Sequence, residues 1–334
     1  MIVFAHPAQS LNDFVRQRQS SSLALAGLLQ PADRHGILEP IARNGNGARE
    51  IRPIERLGHI GVNAGPSGLL EELLREVSEK AILPLYQSLA DDQIIAKHGG
   101  DYAAIEDVVT VADRQAEEML AEGLARIIPG LPVVGEEEAH EDPSVFDRLT
   151  GDCWIVDPID GTRNFAQGKP PFGILLAMAS GGETHTGWIY DCLSGRLCLA
   201  HKGKGAFVNG EKIAARPTGE SPPVAAISLI FLDPARRAAV QQALEPHYRQ
   251  TITPFCSAEQ YPRLALGIND VSIFERTLPW DHAAGVLFLN EAGGKAARPD
   301  GSPYRVDDWK RPGLVGAASP QLWDELAGRL NALD

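Results

Sequence analysis

Asp157 and Asp160 stand close together in the segment CWIVDPIDGTRNF, at the end of an apolar run. Pro158 fixes a φ angle and Gly161 permits a turn, so both carboxylates can face the same side of a tight bend. At a separation of about 4 Å and an effective dielectric constant near 20, their charges repel by ~4 kcal/mol. Carboxylate oxygens and the main-chain carbonyl of Ile159 are ligands that suit a hard divalent cation such as Mg²⁺, which would offset the repulsion. A proton shared between the carboxylates is an alternative.

Two further acidic residues stand at the ends of predicted elements: Glu136 in VVGEEEAH and Asp281 in LPWDHAAG. A rigid element at each position would hold the carboxylate in place. Taken one at a time, the motifs also have simpler interpretations. DPIDG is typical of a plain turn, a run of glutamates is typical of a solvated surface, and Asp281 suits the N-cap of a helix.

Taken together and in this order, the motifs resemble the signature of the inositol monophosphatase family, the lithium-sensitive and magnesium-dependent phosphatases. That signature has a strand ending in Gly-Glu-Glu, then W-x-V/I-D-P-I/L-D-G-T-x-N-F, and a distant W-D-x-A-A-G. This chain reads VVGEE, WIVDPIDGTRNF and PWDHAAG, with supporting matches in VVTVADRQAEEML, GWIYD, HKGKGAFVNGEKI and EAGG. The resemblance covers about residues 69–333 and leaves the preceding segment outside.

The resemblance implies a phosphomonoesterase with two or three Mg²⁺ ions in its site. Glu136, Asp157 and the carbonyl of Ile159 would hold one ion. Asp157 would also reach a second ion, which Asp160 and Asp281 complete. A third, weakly held ion is often invoked near the glutamate. Such a site can lower the pKa of a water molecule and align the attacking and leaving oxygens for phosphoryl transfer.

For catalysis, the resemblance implies that Glu136 and Thr162 orient the attacking water, while Asp113 of VTVAD accepts a hydrogen bond from the threonine hydroxyl. Asp113 also stands three residues after Thr110, in the spacing of a helix capping box, and the two roles are compatible.

The substrate-side residues that the resemblance implies are Asp160, Gly161, Thr162, Ser257, Glu275 and Asp281. A helix beginning after the DPIDG turn would aim the amides of Gly161 and Thr162 at the phosphate. The sequence departs from the family pattern at two of these substrate-side positions. Glu275 lies one position closer to Asp281 than expected, and FCSAEQYPR replaces the usual RSxGS/TAA, with Ser257 and Ala258 as counterparts.

These departures leave the substrate open. Inositol-1-phosphate or a similar sugar phosphate comes first, and histidinol phosphate is the alternative. A 3′(2′),5′-bisphosphate nucleotide is less favoured, and fructose 1,6-bisphosphate would need Arg263 or Arg276 for its second phosphate. A non-catalytic binding role is a hypothesis of another class. His282, beside Asp281, is interpreted as a supporting residue rather than a ligand.

Composition narrows the class of partner. The formal net charge of −13 opposes a general attraction to nucleic acid or anionic membrane, and no apolar run approaches the ~20 residues of a membrane span. The four cysteines are scattered without a CxxC pair, which favours a reducing, cytoplasmic location. The expected partner is a small phosphorylated metabolite. The resemblance also implies a homodimer.

The elements that must position these residues alternate along the chain. Helical spacing begins at Leu69, and a second helix is predicted from TVADRQAEEMLAEGLARII; short strands follow, then strands and helices in alternation. KGKGAF at 202–207 lacks P-loop spacing and is interpreted as a hairpin turn.

The predicted fold is an α/β (α+β) layered sandwich of the inositol monophosphatase and sugar phosphatase type. Residues 1–66 are interpreted as an extension, mobile or preceding the true start, and 67–333 as the phosphatase domain, with halves of about 67–200 and 201–333.

Overall fold

The computed structural model describes residues 66–97 and 107–333. The helices are α1 (Pro66–Val77), α2 (Val111–Ile127), α3 (Glu136–Glu141), α4 (Thr162–Ala166), α5 (Pro234–Leu244), α6 (Ser257–Ala265), α7 (Pro279–Glu291) and α8 (Pro320–Asn331). Short π and 3₁₀ helices lie at Ser78–Ile82, Asp91–Gln93, Pro143–Thr150 and Val306–Asp308.

The strands are β1 (Ile94–Lys97), β2 (Asp107–Thr110), β3 (Val133–Gly135), β4 (Asp152–Asp160), β5 (Gly173–Ser180), β6 (Glu183–Asp191), β7 (Leu197–His201), β8 (Gly205–Val208), β9 (Glu211–Ile213), β10 (Val224–Ile227), β11 (Arg249–Thr251), β12 (Val271–Phe274), β13 (Lys295–Ala297) and β14 (Leu314–Ala317). The predicted hairpin at KGKGAF is confirmed, because β7 and β8 pair antiparallel on either side of it.

Local capping signals explain where the long helices begin. Thr110 caps α2 in a capping box with Asp113, as the sequence predicts. Asp233 and Ser319 cap α5 and α8, each followed by a proline in the first turn. Helix α7 has Leu278 at its N-cap, so the N-cap interpretation of Asp281 is wrong. Asp281 lies inside the first helical turn instead.

Two large sheets form the frame. The first has seven strands in the order β3-β4-β5-β6-β7-β8-β9, and only its β3–β4 pair is parallel. The second has five strands in the order β11-β10-β12-β14-β13, in which β10 runs parallel to both of its neighbours. The register of β4 against β5 shifts between Asp157 and Asp160. The tight bend predicted at DPIDG is therefore wrong for its first four residues, which form an irregularity within β4, and the chain turns only at Gly161.

Apolar side chains alternate along β4 and so separate two cores. Trp154 and Val156 pack with the apolar faces of α1 and α2, whereas Cys153 and Ile155 pack with α6 and α7 on the other face. Helices α5 and α8 cover the second sheet in a third core. Burial of each large apolar side chain contributes about 1.5–3 kcal/mol to folding. The resulting layers of helix and sheet confirm the predicted layered α/β sandwich.

The predicted extension, residues 1–66, lies outside the described residues except for Pro66, the first residue of α1. The first sheet continues to Ile213 and the second begins at Val224. The division into halves near residue 200 stays a prediction. Among the helices of the described ranges, not one combines the length and the apolarity that crossing a bilayer requires.

Candidate active site

A pocket of about 210 Å³ lies where β4 ends and α7 begins. Segments from both large sheets, α4 and α6 also contribute to its walls. Nine of the residues predicted from the sequence line it: Glu136, Asp157, Ile159, Asp160, Gly161, Thr162, Ser257, Glu275 and Asp281. The tenth, Asp113, lies behind Thr162 and reaches it through a hydrogen bond.

Three of these carboxylates converge. Asp157, Asp160 and Asp281 each offer an oxygen, and these oxygens all lie within 4.8 Å of one another. Asp157 is 1% exposed and Asp160 7% exposed, while Asp281 is partly buried. Glu136, the first residue of α3, lines the same pocket. The tertiary structure thus brings carboxylates from β4 and α7 together, although Asp160 and Asp281 lie 121 positions apart in the chain.

Burial and mutual repulsion disfavour the charged forms of this cluster. Burial raises the pKa of Asp157 well above its ordinary value, and the charges of Glu136, Asp160 and Asp281 add to the effect. Burial also raises the pKa of Asp160 to about 6, although the amide of Ala258 donates a 2.5 Å hydrogen bond to its carboxylate. A set of buried oxygen donors that repel one another fits a hard divalent cation.

Thr162 connects the carboxylate cluster to α2. Its hydroxyl lies 2.8 Å from the carbonyl oxygen of Ile159 and 3.2 Å from Oδ1 of Asp113. The other oxygen of Asp113 accepts from the amide and the hydroxyl of Thr110, at 2.8 and 2.6 Å. Asp113 therefore closes the capping box and contacts Thr162 at the same time. Burial raises the pKa of this carboxyl to about 7.

Gly161 makes the turn between β4 and α4. Its φ angle is +88°, in the left-handed region. A Cβ atom at this position would lie 2.9 Å from the carbonyl oxygen of Pro171 and 3.2 Å from Cβ of Cys256. Both observations require glycine here. The predicted helix after the turn is confirmed as α4, although it has only five residues.

Glu117 is a positioning residue that the sequence analysis missed. Its carboxylate accepts hydrogen bonds from the amides of Glu137 and Glu138, at 2.9 and 2.8 Å, and so caps the start of α3 beside Glu136. Gly135 leaves room for it, because a Cβ there would lie 2.4 Å from the Glu117 carboxyl carbon. The signal was present, since Glu117 follows Asp113 by one helical turn and shares its face of α2.

The glutamate run is not the solvated surface of the simpler interpretation. Glu137 is buried, and Glu138 forms two hydrogen bonds to the guanidinium of Arg148, at 2.8 and 3.0 Å. The interpretation fails because α3 packs against its neighbours, which periodicity over six residues cannot reveal.

The segment FCSAEQYPR, which departs from the family pattern, forms most of helix α6. Ser257–Ala265 is helical although it contains Pro262. Its first residue, Ser257, lines the pocket, and the next residue, Ala258, binds Asp160. A proline inside so short a segment lowers its helical signal, so packing decided this element.

The arginines proposed for a second phosphate differ in position. Arg276 lines the pocket, and its guanidinium lies 4.0 Å from the Asp281 carboxylate. Arg263 instead binds Glu259 on its own helix, at 2.7 Å, and is not among the residues that line the pocket.

His282 is buried, with Nδ1 2.8 Å from the Tyr261 hydroxyl and Nε2 2.8 Å from the Arg276 carbonyl oxygen. Both ring nitrogens are engaged by protein groups, which agrees with a supporting role.

Comparison with known proteins agrees with this geometry. An inositol-1-monophosphatase from Bacillus subtilis is 33% identical over 201 residues, 59% of this chain and 75% of the relative. A histidinol-phosphatase from Chlorobaculum parvum is 33% identical over 192 residues, 56% of this chain and 70% of the relative. The solved structure of an IMPase from Thermotoga maritima superposes with a TM-score of 0.65 at 25% identity, covering 80% of this chain and 96% of that one.

The family model described as "Inositol monophosphatase family" matches residues 70–333, which is nearly all of the described chain. This range contains every carboxylate of the pocket. The chain therefore belongs to the inositol monophosphatase family and is a phosphoric monoester hydrolase.

Proposed function

We propose that this protein hydrolyses a small phosphorylated metabolite in a Mg²⁺-dependent reaction at the carboxylate pocket. The observation that carries the proposal is the convergence of Asp157, Asp160 and Asp281, whose oxygens lie within 4.8 Å of one another. Such a cluster is unfavourable without a cation, since burial and repulsion both raise the pKa of Asp157. A purely structural role would not require these carboxylates to lie together.

The donor set fits Mg²⁺, because it consists of oxygens alone. Glu136, Asp157, the carbonyl of Ile159, Asp160 and Asp281 would hold two or three ions. When bound, the ions would neutralise phosphate charge and lower the pKa of a nearby water molecule.

The protein's own residues would orient the reactants. Glu136 and the Thr162 hydroxyl would accept hydrogen bonds from the attacking water and so direct it. Asp113 and Ile159 would fix the rotation of that hydroxyl. The main-chain amides of Gly161 and Thr162, at the start of α4, would bind phosphate oxygens. Asp160, Ser257, Glu275 and Asp281 line the pocket around the remainder of the substrate.

The test is phosphate release with and without Mg²⁺, for the wild type and for Asp157→Asn. We expect release only with Mg²⁺ and a loss of at least ~10²-fold in Asp157→Asn, since a charged ligand is lost. Undiminished activity in Asp157→Asn would contradict the metal assignment. Absence of release from a wide panel of phosphomonoesters would favour a binding role instead.

Two substrates head this panel. Inositol-1-phosphate is the first, because a 33% identical relative is named an inositol-1-monophosphatase. Histidinol phosphate is the second, because another relative is named a histidinol-phosphatase and because Ile230, Phe231 and Phe255 give the pocket an apolar wall. The ratio of their kcat/KM values decides between them. Fructose 1,6-bisphosphate and adenosine 3′,5′-bisphosphate complete the panel, and Arg276 is the pocket arginine that a second phosphate would meet.

The remaining expectations are also proposals. Inhibition by Li⁺ should accompany Mg²⁺-dependent activity, as the family resemblance implies. The chain should form a homodimer, which light scattering can measure. A reducing, cytoplasmic location is in keeping with four buried cysteines that are all free thiols.

A further inference from the structure

The loop before α6 holds Phe255 between two anchored neighbours. On one side, the carbonyl oxygen of Pro254 accepts a 2.9 Å hydrogen bond from Nδ2 of Asn164 on α4. On the other side, Cys256 is the N-cap of α6, and its thiol lies 3.6 Å from the carbonyl oxygen of Asp160. The loop is therefore attached to the same turn that carries the carboxylate cluster.

The conformation of Phe255 is unusual for its residue type. Its φ angle is +50°, in the left-handed region that bulky side chains rarely occupy. Its ring is 53% exposed but lines the pocket. Because the ring is not in a core, burial does not account for this backbone, and strain of this kind clusters at ligand sites. The two anchors keep the ring at the pocket.

The lining of the same pocket includes two further apolar side chains. Ile230 and Phe231 line it, and the guanidinium carbon of Arg276 lies 5.1 Å from the centre of the Phe231 ring. A polyhydroxylated alcohol would place hydroxyl groups against these surfaces and lose hydrogen bonds to water. An aromatic ring would instead bury apolar area and stack on Phe255.

We infer that Phe255 is a specificity-determining residue that stacks on an aromatic ring of the alcohol being released, so that phosphomonoesters of ring-bearing aromatic alcohols are preferred over those of polyols. This inference rests on the proposed phosphatase function and, within its panel, places histidinol phosphate ahead of inositol-1-phosphate. It concerns the alcohol side of the pocket, whereas the carboxylates act on the phosphate.

The test compares 2-phenylethyl phosphate with glycerol 1-phosphate, both esters of primary alcohols, in the Mg²⁺-loaded protein. We expect wild-type kcat/KM to favour the phenyl ester at least ~10-fold, since a stacked ring adds binding that glycerol lacks. Phe255→Asn, which tolerates a positive φ, should lower this ratio about tenfold. Phe255→Tyr keeps the ring and should keep the ratio within about threefold.

Ile268→Asn is the matched control, because Ile268 is also 53% exposed and is not among the residues that line the pocket. Its ratio should equal that of the wild type. An unchanged ratio in Phe255→Asn, with both esters still hydrolysed, would overturn this inference alone. If the wild type releases phosphate from the panel of the proposed function but hydrolyses neither ester, this inference alone is overturned. Absence of release from the whole panel would overturn the proposed function and this inference with it.

Discussion

At the scale of single residues, two neighbours fix the hydroxyl of Thr162. Its hydroxyl proton is shared between the Ile159 carbonyl and the Asp113 carboxylate, which leaves the oxygen lone pairs directed elsewhere. Asp113 in turn is held by Thr110 in the capping box. A helix cap and a pocket hydroxyl thus depend on one carboxylate.

Replacing Thr162 with valine should show whether this hydroxyl acts in the reaction. Valine keeps the shape and removes the hydroxyl, so we expect kcat to fall by ~10²-fold or more, the range for a lost proton-directing group, with a smaller change in KM. Steady-state kinetics at saturating Mg²⁺ measure this.

Thr162→Ser is the control, since it keeps the hydroxyl and should retain kcat to within about tenfold. A valine variant with more than half of the wild-type kcat would contradict the role assigned to Thr162.

At the scale of elements, helix α2 organises the approach to the site. Its first turn contributes Asp113, and its second turn contributes Glu117, which caps α3 through the amides of Glu137 and Glu138. Helix α3 begins with Glu136, so the direction of that side chain depends on a cap that comes from another helix. Burial raises the pKa of Glu117 to about 7.

Glu117→Ala should therefore lower both stability and activity. Loss of two amide hydrogen bonds at a helix start costs about 1–2 kcal/mol of unfolding free energy. We expect kcat to fall as well, because Glu136 loses its support. Thermal melting and kinetics measure the two effects, with Glu117→Gln as the matched control that keeps one acceptor oxygen. Equal melting temperatures for wild type and Glu117→Ala would refute the capping role.

Comparison of the wild type with Glu117→Gln also tests the pKa of Glu117. Its folded pKa lies above the ordinary value of 4.5, so the stability it contributes is complete below that value and is lost as the pH rises through about 7. In metal-free buffer, the stability of the wild type relative to Glu117→Gln should decrease between pH 5 and pH 8. Denaturant unfolding at both pH values measures the difference.

At the scale of the whole molecule, the active site lies where parts of two sheets meet. Strand β4 of the first sheet supplies Asp157 and Asp160, α7 supplies Asp281, and the second sheet supplies the wall around Glu275. Without a cation, protonation of the cluster is favoured relative to free aspartates, because burial raises the pKa values of Asp157 and Asp160. A divalent cation must displace these protons to bind.

We therefore expect Mg²⁺ affinity to rise with pH. Burial raises the pKa of Asp160 to about 6, so its protonation alone should weaken binding about twofold between pH 8 and pH 6, and the raised pKa of Asp157 should add to this. Calorimetry in buffers of different ionisation enthalpy should show proton release at the lower pH. An affinity independent of pH would contradict the assignment of these ligands.

The thermal stability of Asp157→Asn tests the same carboxylate cluster. In metal-free buffer at pH 8, the variant should melt ~2–6 °C above the wild type. Asp157 ionises freely in the unfolded chain, whereas burial and neighbouring charges oppose its ionisation in the folded protein, a cost of about 1–2 kcal/mol that asparagine does not carry. With saturating Mg²⁺ the order should reverse, since only the wild type gains full binding energy.

Much of this fold could be predicted because its signals are local. Thr110 caps α2 at the predicted position, and Asp233 and Ser319 cap α5 and α8 through equally local signals. Short β-branched runs form the strands of the first sheet. Helix α6 escaped prediction because Pro262 weakens its local signal, and Glu117 escaped because its partners belong to another element. Tertiary packing decided both.

The sequence by itself determined the reaction class through the order of its acidic motifs, which resembles the signature of the inositol monophosphatase family. Taken singly, the same motifs also fitted a plain turn, a solvated surface and a helix cap. Only the tertiary structure decided which of those carboxylates share one space, which helix supports Glu136, and that Phe255 borders the pocket. The physical reason is that caps and turns depend on neighbours a few residues away. Convergence of side chains more than a hundred residues apart depends instead on how the sheets and helices pack.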